Sequence, residues 1–201
     1  VKAYLLTINE NVNVEDMSKE QQEYIKIGED NEENKGYKCR IRKKWYSVPS
    51  IWIPDAFLLR RSNIYPKFVL NGIDAVSTDT MHRIKIKEKY DNKKILLSYY
   101  NSISFAFTEL CGRSYGGGVL EILPKEAENI IIPNIDDMDE QNVNRLVEIL
   151  DDNIRNKKDI RDAINIMDKE ILEDYLGIST NTINMYRKIW KTLNERRMNR
   201  K

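Results

Sequence analysis

The spacing of hydrophobic and polar residues changes along the chain, from short alternating stretches to long helical stripes. Val1–Ile8 (VKAYLLTI) reads as a short strand. Ser18–Ile27 reads as a helix with Ser18 as N-cap and Gln21 three positions on, the capping-box arrangement. GEDNEENKG (28–36) has no apolar face and reads as an exposed connection. Tyr37–Tyr46 mixes β-formers with alternating charge, which predicts a strand, and Pro49 and Pro54 break the next run into short extended pieces. AFLL (56–59), KFVLN (67–71) and HRIKIKEK (82–89) suit strands. In the last, Ile84 and Ile86 face one way and Arg83, Lys85 and Lys87 the other.

From Lys93 the period becomes helical. Ile95, Leu96, Tyr99, Ile103, Phe107 and Leu110 form one stripe on a single helix of about five turns, ended by Gly112. RSYGGGVLEILP turns through its glycines into a strand, Pro124 opens a short helix, and Pro133 stops the chain again. Asn142–Ile154, Lys157–Tyr175 and Thr180–Arg197 then carry apolar residues at three- and four-residue spacings, with Gly177 between the last two. The predicted fold is α+β: a mixed, strand-rich portion with a long helix, followed by a helical tail. The expected divisions are 1–35 (strand, helix and linker), 36–133 (recognition domain) and 134–201 (helical region).

Charge sharpens this division. The net charge of +1 conceals −5 over residues 1–35, +8 over 36–124, −8 over 125–174 and +6 over 175–201. A basic block is the footprint of a phosphate-binding face, since Lys and Arg release condensed counterions when they neutralise phosphates. A clustered but merely solvated surface is the other reading. No apolar run is long enough to cross a bilayer, and the start lacks the order of a signal peptide, so no membrane association is expected and the expected location is cytoplasmic. Val1 stands in what reads as the middle of an element, as in a piece of a longer chain. Cys39 and Cys111 have neither the spacing nor the neighbours of a disulfide framework or zinc site.

Residues for catalysis are scarce. The single histidine, His82, heads the most basic strand without a Ser or Cys at a spacing that makes a triad. Asp136–Asp137 and Asp151–Asp152 sit where helix ends favour Asp. Neither GxxxxGK[ST] nor GxGxxG occurs, and no catalytic, cofactor or metal residue is expected in this chain.

The nucleic-acid candidates are clearer. KCRIRKKWY (38–46) interleaves five cations with two aromatics. As a strand it would place Arg40, Arg42 and Lys44 on one face, with Lys43 beside them and Tyr46 able to pack on a sugar or base. Trp45 reads as core. Arg60, Arg61, His82, Arg83, Lys85 and Lys87 extend the pattern, and the strands 38–46 and 82–89 are expected to share one surface. In GRSYGGG, Arg113 and Tyr115 adjoin Gly116 and Gly117, where backbone can approach a phosphate or simply make a tight turn.

The order of these motifs resembles a known family. RKKWY (42–46), the Asn101–Ser102 opening of a helix, GRSYGGGVLEILP (112–124), Ile132–Pro133, LEDYLGIS and the closing NERRMNR look like the C-terminal half of N6-adenine DNA methyltransferases of type II restriction-modification systems. The similarity runs from about Tyr24 to the end. It implies sequence-specific recognition of double-stranded DNA, with a catalytic domain in cis that binds S-adenosylmethionine and grips an extruded adenine with an Asn/Asp-Pro-Pro-Tyr/Phe motif. That motif and the cofactor loop are absent here, so the fragment itself is expected to be non-catalytic and to bind no cofactor, while its parent is an enzyme. Other readings are a type I restriction specificity subunit-like protein, a helix-turn-helix DNA-binding protein using Ile171–Leu176 and the helix from Thr180, and a module that meets an acidic protein partner.

Overall fold

A computed structural model describes residues 4–200; the first residues of the strand expected at 1–8 lie outside them, and residues 4–8 form no strand. The chain makes two compact units, Val1–Ile53 and Pro54–Lys201.

In the first unit, helix α1 (Lys19–Asp30) starts at the expected capping box: Gln21 N–H donates to Ser18 Oγ at 3.3 Å and Ser18 N–H to Gln21 Oε1 at 3.1 Å. It runs past Ile27 because Gly28 belongs to the helix. A Cβ there would lie 2.1 Å from the Trp45 ring, so glycine is what lets the indole close on the helix. Ile8, Met17, Ile25 and Tyr46 form the unit's small core, with Trp45 against it. The strand expected over Tyr37–Tyr46 is not formed; a short helix α2 (Tyr37–Arg40) and turns replace it. Trp45 and Tyr46 are successive residues that both pack inward, which a strand forbids because its neighbouring side chains point to opposite faces.

The second unit begins with β1 (Ala56–Leu59), which lies between β3 (Phe68–Leu70) and β4 (Met81–Ile84) in one antiparallel sheet. The chain passes through Arg60 into β2 (Arg61–Ser62), which joins a second antiparallel sheet, β2-β6-β5, with β5 (Arg113–Tyr115) and β6 (Val119–Glu121). The expected strands at 56–59 and 67–71 are present. The third ends at Ile84, although Ile86 is still buried as its alternation requires.

The single long helix expected from Lys93 is two, α3 (Asn92–Tyr99) and α4 (Ser102–Cys111). Asn101 interrupts it. Its Oδ1 accepts from Ser104 N–H at 2.9 Å as the N-cap of α4, and its amide donates to Ser98 O at 2.7 Å. A buried Asn that satisfies both helix ends outweighs the continuous stripe. The Ser102 amide donates to Asp168 Oδ1 at 2.8 Å, and Arg187 Nε donates to Asp168 Oδ2 at 2.6 Å. The opening of α4 is thereby tied to the later helices.

Those helices follow a short α5 (Pro124–Ala127). They are α6 (Glu140–Arg155), α7 (Ile160–Met167), which widens into π-helix over Asp168–Tyr175, and α8 (Thr180–Met198) after a turn with Gly177 at φ +68°. They share one hydrophobic core with the β3-β1-β4 sheet, around Leu97, Tyr100, Phe105, Leu146, Met167 and Ile171. With 50% helix and 10% strand the fold is the expected α+β class, its sheets small and its tail helical. Among the described residues no helix is long and apolar enough to cross a membrane.

The stripe Ile183, Tyr186, Ile189 and Trp190 packs α8 onto the core, with Ile183 and Trp190 buried. Trp190 meets Phe105 edge-on, with ring centroids 5.1 Å apart. Replacing Trp190 with Ala is expected to cost about 3–5 kcal/mol in denaturant unfolding of the chain. An unchanged unfolding midpoint would contradict this packing.

Candidate nucleic-acid interface

The register of the second sheet sets Arg61 opposite Glu121 and Glu121 opposite Arg113, a row across three strands. Side chains alternate along a strand, so Tyr115, two residues from Arg113, shares this face, while Leu120 points to the core. Glu121 organises the row. Its Oε1 accepts from Arg61 Nε at 3.0 Å and lies 3.3 Å from Arg60 Nε. Burial pushes the Glu121 carboxyl up, but hydrogen bonds from Arg61 and Tyr115 and the charges of Arg61 and Arg60 outweigh it and hold the group below the usual carboxylate range. Arg113 Nε donates to Glu126 Oε1 at 2.6 Å. The arginine side chains remain open to solvent, Arg61 at 69% and Arg113 at 56% exposure, which leaves their outer edges able to meet a ligand.

The glycine loop beside this row is held from behind by α8. Arg197, 2% exposed, donates from Nε to Glu109 Oε2 at 2.9 Å and from Nη2 to Glu109 Oε1 at 2.7 Å. Its Nη1 donates to Asn63 O at 2.5 Å and to Gly118 O. Asn63 donates to Gly117 O and Gly118 O at 3.1 Å each, Arg200 donates to Ser114 O at 2.8 Å, and Gly117 N–H donates to Arg200 O at 3.3 Å. Gly118, at φ +73°, has Met198 Sδ 3.0 Å from where a Cβ would sit. The glycines therefore let a helix end approach the loop from the inside. Gly116 and Gly117 stay exposed, the latter at φ +68° with open space where a Cβ would be.

The remaining predicted residues are spread more widely. His82 is half-buried and its Nε2 lies 2.6 Å from Ile122 O, joining β4 to the end of β6. Arg83 is half-buried on β4 opposite Phe57, and Lys85 pairs with Asp55 at 3.0 Å. Arg40, Arg42, Lys43, Lys44 and Tyr46 belong to the first unit, and Arg60, Arg61, His82, Arg83 and Lys85 to the second. Arg40 closes α2 and is exposed, as is Lys43. Lys44 is half-buried. Arg42 Nη1 donates to Trp45 O at 3.4 Å. Without a strand, Arg40, Arg42 and Lys44 do not share a face by alternation. Tyr46 is 8% exposed in the core.

Sequence reasoning missed Asn63, Glu109, Arg197 and Arg200. One signal was available: Arg197 lies seven residues past Trp190, so it continues the apolar stripe of α8 to its end.

A family model described as the C-terminal domain of the type II methyltransferase M.Eco57I matches residues 1–172. No curated protein and no solved structure matches the chain.

Two outcomes follow from this geometry. Arg197→Met leaves Glu109 buried without its cation and is expected to cost about 3–5 kcal/mol by equilibrium unfolding; a variant as stable as wild type would contradict the lock. The lowered Glu121 carboxyl contributes stability at neutral pH that is lost as pH falls through its folded-state value, below the usual 4.5. Carboxyl NMR of Arg61→Ala should show that titration moved upward, and an unmoved titration would remove Arg61 as its cause.

Proposed function

The chain belongs to the family of type II methyltransferase C-terminal domains, and from that membership we propose that it recognises double-stranded DNA for an N6-adenine methyltransferase of a restriction-modification system. A catalytic domain in cis would bind S-adenosylmethionine and transfer the methyl group. An enzyme that acts on a base must extrude it from the stack, so another part of the protein must keep the duplex in register meanwhile.

The observation that carries this reading is the exposed row of Arg61 and Arg113 flanking Glu121, with Tyr115 on the same face. A guanidinium offers five donors in a planar fork, suited to a phosphate or to the two acceptors of a guanine edge. Glu121 and Glu126 hold Arg61 and Arg113 in place before any ligand arrives. Less side-chain freedom is then lost on binding. The carboxylates are buried or nearly so while the guanidinium edges are exposed, so the pairs stay made and the outer donors of Arg61 and Arg113 are free to meet a ligand. Gly116 and Gly117 leave the adjoining backbone open to close approach. Arg40, Arg42, Lys43 and Lys44 supply further phosphate contacts in this reading, with Arg60 between β1 and β2, Arg83 on β4 and Lys85 just after it.

Fluorescence anisotropy over a salt series, on a site selected from a randomised duplex pool and on scrambled duplexes, tests it. Arg61→Ala or Arg113→Ala is expected to cost about 1–3 kcal/mol on the selected site and to relax discrimination at one base position. Lys43→Ala and Lys44→Ala should weaken all duplexes alike and lower the salt slope by about 1 each. Binding that none of these changes alters would overturn the reading.

A further inference from the structure

A concavity opens in the Pro54–Lys201 unit, between α8, the turn joining α6 to α7, and the segment linking β2 to β3. It encloses about 980 Å³ and is lined by Tyr65, Lys67, Lys157, Ile160, Trp190 and Lys191 among others. Two chemistries divide it. Tyr65, Ile160 and Trp190 make an apolar and aromatic floor, Tyr65 itself stacked on the buried Phe105 with ring centroids 6.4 Å apart. Six cationic residues line the cavity against two acidic ones. Some of these cations are already matched, Arg161 by Asp159 at 2.5 Å and Arg187 by Asp168 at 2.6 Å. Lys67 and Lys157 have no carboxylate partner among the described residues, and Lys191 has Glu195 only at 3.9 Å.

Other details point the same way. Lys67 Nζ lies over the Tyr65 ring at 5.1 Å, which brings a cation to the aromatic floor. Lys157 holds a left-handed backbone conformation, φ +52°, at a helix C-terminus where Gly or Asn is the ordinary choice. Trp190 Nε1 is buried without an acceptor, a cost that proteins generally avoid.

We infer that this cavity binds a nucleotide, its base against Tyr65, Ile160 and Trp190 and its phosphate at Lys67 and Lys157. The volume lies within the range of about 300–1,000 Å³ usual for small-molecule sites and far exceeds what inorganic phosphate fills. An apolar floor under a cationic rim selects a ligand that is flat and apolar at one end and anionic at the other. A free mononucleotide and an extrahelical nucleotide of a DNA strand share that chemistry. The site shares no lining residue with the Arg61–Glu121–Arg113 row and does not require that row to read DNA.

The test titrates the full chain with 2′-deoxyadenosine 5′-monophosphate and with a duplex carrying one unpaired deoxyadenosine, following the Trp190 indole N–H resonance. Deoxyadenosine, inorganic phosphate and the fully paired duplex serve as controls. A saturable shift of that resonance is expected with at least one probe, weakened at least tenfold in Lys67→Ala/Lys157→Ala, two exposed positions outside the core. A response to the free nucleotide alone identifies a diffusible ligand, and a response to the unpaired duplex alone identifies a strand nucleotide; each supports the site. No saturable shift with either probe overturns the inference, as does binding that the double variant leaves unchanged. Phosphate or deoxyadenosine matching the nucleotide in affinity would also overturn it, by removing the need for floor or rim. Loss of binding to the fully paired duplex alone would count against the recognition reading and not against this one.

Discussion

One buried ion pair sets the geometry of the larger unit. Removing a guanidinium and a carboxylate from water costs several kcal/mol per ion, and the interior repays this only when every donor nitrogen finds a partner. Arg197 meets that condition with bonds to both oxygens of Glu109 and to the carbonyls of Asn63 and Gly118. These partners come from α4, from the end of β2 and from the glycine loop, so a single side chain at the end of α8 fixes three separate segments. Asn194 adds bonds from α8 to Glu109 Oε1 and Ile64 O. An apolar pair could hold two helices together, but it could not fix the carbonyls of a loop.

The same unit repeats this device on a smaller scale. Asp168, fully buried at the start of the π-helical turn, receives the Ser102 amide on one oxygen and Arg187 on the other. Burial pushes its carboxyl up in spite of these bonds. The two polar clusters sit toward opposite ends of α4, at Ser102 and at Glu109, and both reach α8. Between them the aromatic contact of Phe105 with Trp190 supplies the apolar part of the interface. The Arg61–Glu121–Arg113 row is thereby built on a sheet with a packed helical support, which suits side chains that must be held in one geometry.

What the sequence made legible follows from which constraint was local. The capping box at Ser18, the proline opening α5, the glycine ending α4 and the inward stripe of α8 depend on neighbours a few residues away, and all are where the pattern puts them. The break at Asn101 was hidden because the apolar stripe runs through it, and only the buried surroundings make the Asn cap dominant. The region 37–46 misled because charge alternation imitates a strand, while the packing of Trp45 on Gly28 and of Tyr46 in the core needs a turn. Arg60, Arg61, Arg113 and Tyr115 were legible as candidates. Glu121, partner of Arg60, Arg61 and Tyr115 and cross-strand neighbour of Arg113, was not, since a register across three strands is a long-range fact. Arg197 looked like part of a basic end, and its burial depends on a glutamate 88 residues away.

If the buried pair positions the loop for DNA, then removing both charges together should separate positioning from electrostatics. The double variant Arg197→Met/Glu109→Leu leaves net charge unchanged, and replacing a buried ion pair with apolar residues of similar volume is often tolerated. The direct measurement is its affinity for the selected duplex at several salt concentrations, beside wild type and with unfolding stability checked. A folded protein with weakened binding to the selected site and an unchanged salt slope is expected, because no exposed cation is lost. A folded double variant that binds the selected site as tightly as wild type would contradict it.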